Sequence, residues 1–212
     1  TSKVKLIFKK MWDEGLVYRG KRLVNFCTYH GTSFSDIEVE YDDKKTGLYY
    51  IKYGPFEIAT TRPETIMGDT AVAVHPDDER YKEFIGKDLE IEGPDGVFKV
   101  KVVADEILVD REFGSGAVKI TPAHDFNDND LAERHDLPTI EVIGRDGKMN
   151  SNAGRFEGMT VLEAREAVVE SLKEKGLLIK VDEDYVNRVG VCYKCRTTIE
   201  PLMMEQWFVN MK

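Results

Sequence analysis

One short motif occurs near each end of this chain, and it restricts the fold more than any other feature. Cys27-Thr28-Tyr29-His30-Gly31-Thr32-Ser33-Phe34 and Cys192-Tyr193-Lys194-Cys195-Arg196-Thr197-Thr198-Ile199 share a frame: a cysteine, two residues, a second ligand-type residue, one residue, a threonine, one residue and an apolar side chain. A spacing of two lets a tight knuckle aim both side chains at one ion, and tetrahedral zinc needs four such ligands. Cys27, His30, Cys192 and Cys195 supply them and use all three cysteines of the chain. Three thiolates and an imidazole would make a closed, structural site with no position for water. The alternative is a bare thiol pair, with Cys27 and His30 apart on the surface. Two half-sites that meet oblige the chain between them to leave and return. The echo therefore predicts a small zinc-ribbon-like module with a larger domain inserted into it. The boundaries read as a helical segment over 1–23, a first knuckle over 24–36, the inserted domain over 37–187, a second knuckle over 188–202 and an exit strand over 203–212.

Composition narrows the class. At 212 residues, 42% hydrophobic and 33% charged, the chain can bury one full core and a small satellite. No apolar run approaches the roughly 20 residues of a membrane span. The first ten residues do not resemble a signal peptide, so an intracellular location is expected. A net charge of −9 argues against a broad grip on nucleic acid but leaves room for local contact with an RNA end.

Apolar spacing at Val4, Ile7, Phe8, Met11 and Trp12 predicts a helix that Gly15 stops. Strand material follows: a hairpin over 48–60 turning at Gly54-Pro55, a strand over 71–74, a hairpin over 89–103 and a strand over 117–120. A short helix is expected over 129–135, then a strand over 139–143. Thr160 with Glu163 fits a capping box opening a packing helix that runs to Gly176, and a strand over 177–181 comes after it. The layout is α+β with many antiparallel pairs.

Two polar stretches stand out. Thr60-Thr61-Arg62-Pro63-Glu64-Thr65 leaves a strand for a helix start, where hydroxyls, backbone N–H groups and a guanidinium can receive a carboxylate, phosphate or ester. In the second, Gly114 to Asp128, Lys119 and Thr121 share a strand face, and Asp125 and Asp128 lie one helical turn apart. Two carboxylates, a lysine, a hydroxyl and His124 can converge there. On residue chemistry alone, Asp125, Asn127 and Asp128 read equally as caps of a short helix, and His124 as a structural histidine.

These stretches resemble the editing domain of the class I synthetases for valine, isoleucine and leucine. Thr60 to Thr65 followed by Met67-Gly68-Asp69-Thr70-Ala71-Val72-Ala73-Val74, and Gly116 to Asp125 with Asn127-Asp128, are most similar to the valyl branch. The similarity extends to Glu14-Gly15-Leu16-Val17-Tyr18-Arg19-Gly20 and to Gln206-Trp207-Phe208-Val209. The first knuckle departs from the family's pattern, with Asn25-Phe26-Cys27-Thr28 and His30 in place of Asn-Trp-Cys-Pro and a second cysteine. The His-Ile-Gly-His and Lys-Met-Ser-Lys-Ser signatures of the family's ATP site are absent.

The resemblance implies a β-barrel-like editing domain with peripheral helices, and hydrolysis of threonine wrongly attached to valine tRNA. It further implies structural zinc with no catalytic metal, partnership with the tRNA 3′ end and the rest of a synthetase, and a cytoplasmic setting. Carried over residue by residue, Lys119, Asp125, Asp128 and Thr61 would act in catalysis, and Arg62, Thr65, Thr121 and His124 in substrate binding. Asp128 would hold the α-ammonium and Asp125 would select the hydroxyl. Lys119 and Arg62 would face the terminal adenosine or the oxyanion, and Thr61, Thr65 and Thr121 would position water or substrate. A leucyl- or isoleucyl-type editor and a non-catalytic, zinc-containing RNA-docking module are the competing expectations.

Overall fold

The computed structural model describes residues 1–111 and 114–211. Helix α1 (Ser2–Asp13) ends where Gly15 turns at a φ of 72°. None of its residues is buried; Phe8 and Trp12 meet Trp207 edge to face, at ring distances of 5.3 and 5.4 Å. The chain then runs through β1 (Val17–Cys27), β2 (Thr32–Phe34) and β3 (Val39–Lys45). It returns at the far end through β11 (Val186–Cys192) and β12 (Glu200–Val209). β1 and β12 pair antiparallel from Val17↔Val209 to Phe26↔Glu200, and β3 pairs with β11 from Val39↔Cys192 to Lys45↔Val186. These long ladders bring the two knuckles together.

Between them lies the larger body. β4 (Leu48–Tyr53) and β5 (Phe56–Thr60) form the expected hairpin, which β10 (Leu178–Asp182) joins at the β4 edge. A second sheet is ordered β7 (Asp88–Gly93), β8 (Gly96–Ala104), β6 (Ala71–Val74), β9 (Ala117–Ile120). β6 is buried along its whole length. Val72 and Val74 face the main core with Ile51, Ile58, Ile91 and Val100, while Ala71 and Ala73 face a second cluster. That alternation is the period of two expected for a strand covered on both sides. Helix α2 (Phe126–His135) closes the second side with Leu131, and α3 (Val161–Glu174) closes the first with Ala164, Val168 and Leu172. The Thr160–Glu163 capping box starts α3 as anticipated.

Two expectations are corrected. The strands do not close into a barrel: the described residues form four open sheets. β5 lies against β9, but Pro63 lacks an N–H, and the chain enters a 3-10 helix (Pro63–Gly68) where a ladder would have to continue. Nor do residues 139–143 form a strand. They are held by side chains instead: His124 Nε2 accepts the N–H groups of Val142 (2.9 Å) and Ile143 (3.3 Å), and Asn150 and Asn152 donate to the Glu141 carbonyl. With those groups occupied, only an isolated bridge, Ile143↔Met149, remains.

Candidate active site and metal centre

The two polar stretches meet because β5 lies against β9. Thr60 caps the exit from β5 by accepting from the Arg62 N–H (3.0 Å), and Pro63 at the first helical position sends the next turn inward. That turn buries Glu64, Thr65 and Asp69. Opposite it, Lys119 and Thr121 share a face as the strand period requires. Lys119 Nζ donates to Thr65 Oγ1 (3.2 Å), Asp69 Oδ1 (3.0 Å) and Thr121 Oγ1 (2.5 Å). Asp69 also accepts from the Thr121 hydroxyl (2.5 Å) and the Tyr53 hydroxyl (2.8 Å). Burial pushes the Asp69 carboxyl up, against the pull of the Lys119 ammonium and the hydroxyl donors.

Arg62 is the hub of a second network. Its guanidinium donates to Glu64 (3.1 Å) and Glu200 (2.5 Å) and reaches the His124 carbonyl at 3.5 Å. Glu64 has no exposed surface and takes two further bonds from Arg165 of α3, both 2.9 Å. Burial opposes the charge on Glu64, but Arg165 and Arg62 outweigh it and hold the carboxyl low. Burial likewise opposes the charge on Arg62, and Glu200 and Glu64 reverse the effect.

His124 has both ring nitrogens committed to main chain: Nδ1 faces the Pro201 carbonyl at 3.3 Å and Nε2 accepts the two N–H groups named above. Burial, with the charge of Arg62, drives its pKa down to about 3, so the ring is neutral. Asp125 is the N-cap of α2; its Oδ1 accepts from Asn127 (2.8 Å) and Asp128 (3.1 Å). The capping reading thus accounts for one of its oxygens. The other has no hydrogen-bond partner among the described residues. Asp128 Oδ2 accepts the Thr121 N–H at 2.8 Å. Burial, then the neighbouring Asp125, pushes its pKa up to about 7 in spite of Lys119.

A cavity of about 1120 Å³ opens over this region. Thr61, Arg62, His124 and Asp125 line it together with Arg165 of α3, and β3, β11 and residues 196–201 complete the lining. Thr65, Lys119, Thr121 and Asp128 lie behind this lining, buried. A guanidinium 27% exposed, a free carboxylate oxygen and a hydroxyl therefore face the space, with an ammonium and a second carboxyl beneath them. Such a set can orient a small ammonium-bearing ester and a water. Another hollow, of about 330 Å³ beside His75 and residues 106–111, contains none of these groups.

Five residues escaped the sequence reading: Tyr53, Glu64, Asp69, Arg165 and Glu200. Glu64 and Asp69 stood inside quoted stretches without a role. The only available signal was electrical: a buried lysine or arginine needs a carboxylate partner.

The knuckles form a separate centre. The ligand atoms of Cys27, His30, Cys192 and Cys195 all lie within 4.8 Å of one another. Cys27 Sγ is 3.6 Å from Cys195 Sγ and 3.4 Å from His30 Nδ1, and Cys192 Sγ is 3.7 Å from the same nitrogen. A tetrahedral ion with metal–sulfur bonds of about 2.3 Å separates its sulfurs by about 3.8 Å, so these four can hold a metal.

Comparison with known proteins follows the same lines. The profile described as tRNA synthetases class I (I, L, M and V) matches residues 1–212, and the chain belongs to that family. Within it, the chain is similar to valine-tRNA ligases. It is 49% identical to that of Thermotoga maritima and 50% identical to that of Carboxydothermus hydrogenoformans, each over 99% of this chain and 24% of the relative. The identity to the ligase of Protochlamydia amoebophila is 49%, over 98% of this chain and 22% of the relative. The chain thus spans about a quarter of the length of the curated relatives it matches. No helix among the described residues is long and apolar enough to cross a membrane.

The elevated Asp128 pKa carries a stability consequence. An unfolded aspartate titrates near 3.9, so between about pH 4 and 7 the native state holds a proton that the unfolded chain has lost. That contribution is complete below pH 4 and is lost as the pH rises through about 7. Asp128→Asn, neutral throughout and still able to accept the Thr121 N–H, lacks this decline. Denaturation at pH 5 and pH 7 will show wild type losing up to about 2 kcal/mol more than the variant. Parallel pH profiles would contradict the buried-carboxyl assignment.

Proposed function

We propose that this chain is the proofreading module of a valine-tRNA ligase and hydrolyses threonine wrongly esterified to valine tRNA. The observation that carries the reading is the junction of two sequence-distant stretches, Lys119 against Thr65 at 3.2 Å and Arg62 against the His124 carbonyl at 3.5 Å, beneath one cavity. The need is physical. A hydrophobic pocket shaped for valine rejects the near-isosteric threonine weakly, and about 10² is the discrimination long associated with valyl pockets. A second site built from polar groups corrects this, because valine entering it leaves those groups unpaired.

In this reading the α-ammonium is drawn to Asp125 at the cavity and to the buried Asp128 behind it, and Asp125 selects the threonyl hydroxyl, which fixes the ester's orientation. Arg62 faces the terminal adenosine and the oxygen on which charge develops. Thr61 positions water. Lys119 keeps Thr65, Thr121 and Asp69 aligned behind the wall and lends positive charge to the region. His124, neutral and fully bonded, fixes the backbone between Thr121 and Asp125. Water attacks the ester carbonyl, the carbon–oxygen bond to the ribose breaks, and one water proton passes to the departing ribose oxygen. The products are free threonine and an uncharged tRNA end. No covalent intermediate with the protein is required.

The metal centre is assigned to structural zinc. Three thiolates and one imidazole match its preference, and the four ligands leave no open position. Bound there, the ion would tie the ends of β1 and β11 and so steady the part of the cavity lining that β11 supplies.

Two measurements test these assignments. Deacylation of threonyl-tRNA(Val) will fall at least about 100-fold in Asp128→Ala, the scale of losing a positioning and electrostatic contact in a hydrolytic site. Unchanged turnover in that variant and in Lys119→Ala would overturn the reading. Elemental analysis will give one zinc per chain, with a lower melting temperature after chelation; a stoichiometry near zero would remove the zinc assignment and leave the hydrolytic one intact.

A further inference from the structure

The cavity lining contains a lysine, Lys44, that no described carboxylate neutralises. Along β3, Asp42 and Lys44 are half-buried while Asp43 and Lys45 are exposed, and Lys44 stands in register with Asn187 of β11. The Asn187 amide reaches the Thr61 hydroxyl at 3.5 Å, so this face of the ribbon looks onto the first polar stretch. Six Lys and Arg line the cavity against three Asp and Glu, on a chain whose net charge is −9.

Most of these cations are accounted for. Arg62 and Arg165 are held by Glu64 and Glu200, and Arg196 bridges Glu40 and Asp42. Lys45 ends on Asp184 at 2.7 Å; Arg188, which also has no ion pair with a described carboxylate, lies over the Tyr41 ring at 4.9 Å. Lys44 differs. Its Nζ donates to the Thr198 hydroxyl at 3.1 Å, and it forms no ion pair with any described carboxylate. A half-buried lysine whose ammonium bonds only a neutral hydroxyl beside a cavity suits an anion from outside the chain.

We propose that Lys44 binds a backbone phosphate of the single-stranded RNA end whose terminal ester is received at Arg62 and Asp125. The identity of the ligand rests on the proofreading function proposed above. A nucleotide strand brings one negative charge per linkage, and a lysine ammonium, a compact charge without a fixed fork, suits a phosphodiester that must enter and leave. The division of labour follows from the two groups of lining residues: Arg62 and Asp125 receive the terminal residue, and Lys44 holds the strand behind it. Lys44 is a binding residue and does not touch the ester.

The test needs no hydrolysis. A labelled, uncharged RNA oligonucleotide with the tRNA 3′ sequence is titrated by fluorescence anisotropy, beside the same sequence with neutral methylphosphonate linkages. Wild type will prefer the phosphodiester strand. Lys44→Ala will weaken its binding several-fold, lower the steepness of log K against log salt by about 0.7 and lose the preference, while Lys44→Arg keeps it. Equal affinity and salt dependence in wild type and Lys44→Ala, or no measurable RNA binding by wild type, would overturn the proposal. A control separates a structural role: Lys44→Ala will hydrolyse a threonyl-adenosine ester, which has no phosphate, at the wild-type rate. A matching loss on that ester would also overturn it. Binding through Lys44 without threonyl-ester hydrolysis by wild type would sink the proofreading reading and leave this one standing.

Discussion

A glutamate without exposed surface, Glu64, joins three parts of this molecule. It accepts from Arg62 of its own turn and from Arg165 of α3, and Arg62 extends the chain of charges to Glu200 on β12. Removing one partner of such a set strands a buried charge and costs about 3–5 kcal/mol. The first polar stretch is therefore fixed against a helix of the inner body and against the outer strand that follows the second knuckle. Without that fixture, the parts of the cavity lining would not share a frame.

Behind the wall, Lys119 and Asp69 form the second commitment. Their ion pair is almost fully buried, and three hydroxyls complete its hydrogen bonds. A satisfied network of this kind is rigid and costly to half-dismantle. It holds the backbone that presents Thr121, and Thr121 in turn holds Asp128 by its N–H. Asp128 is the least comfortable member, a carboxyl in a dry place beside another acid. A cationic ligand would relieve that discomfort, which is the physical ground for the ammonium position in the proposed function.

Local chemistry was readable in the sequence where it is self-contained. The hairpin at Gly54-Pro55, the Thr160–Glu163 cap and each of the two candidate metal knuckles are specified by neighbours a few positions away. Strand period also anticipated that Lys119 and Thr121 share a face, while the meeting of the two polar stretches was expected only through the family resemblance. Long-range closure was harder to see. β1 and β3 are rich in charged residues and alternate poorly, and they become strands through partners nearly the whole chain away. The expected barrel failed because a single proline diverts β5 before it can pair with β9. Residues 139–143 looked like a strand until His124 took their N–H groups, a tertiary contact with no local signal. The acidic partners Asp69 and Glu200 were hidden for the same reason: only the fold says which carboxylate meets which cation.

The most direct test of the account is a crystal structure of the chain with a non-hydrolysable, amide-linked threonyl-adenosine. The expected result is the analogue in the large cavity, its ammonium within hydrogen-bond distance of the Asp125 or Asp128 carboxylate and its adenosine beside Arg62. An analogue fully occupied elsewhere, such as the hollow next to His75, with that cavity left empty, would contradict it.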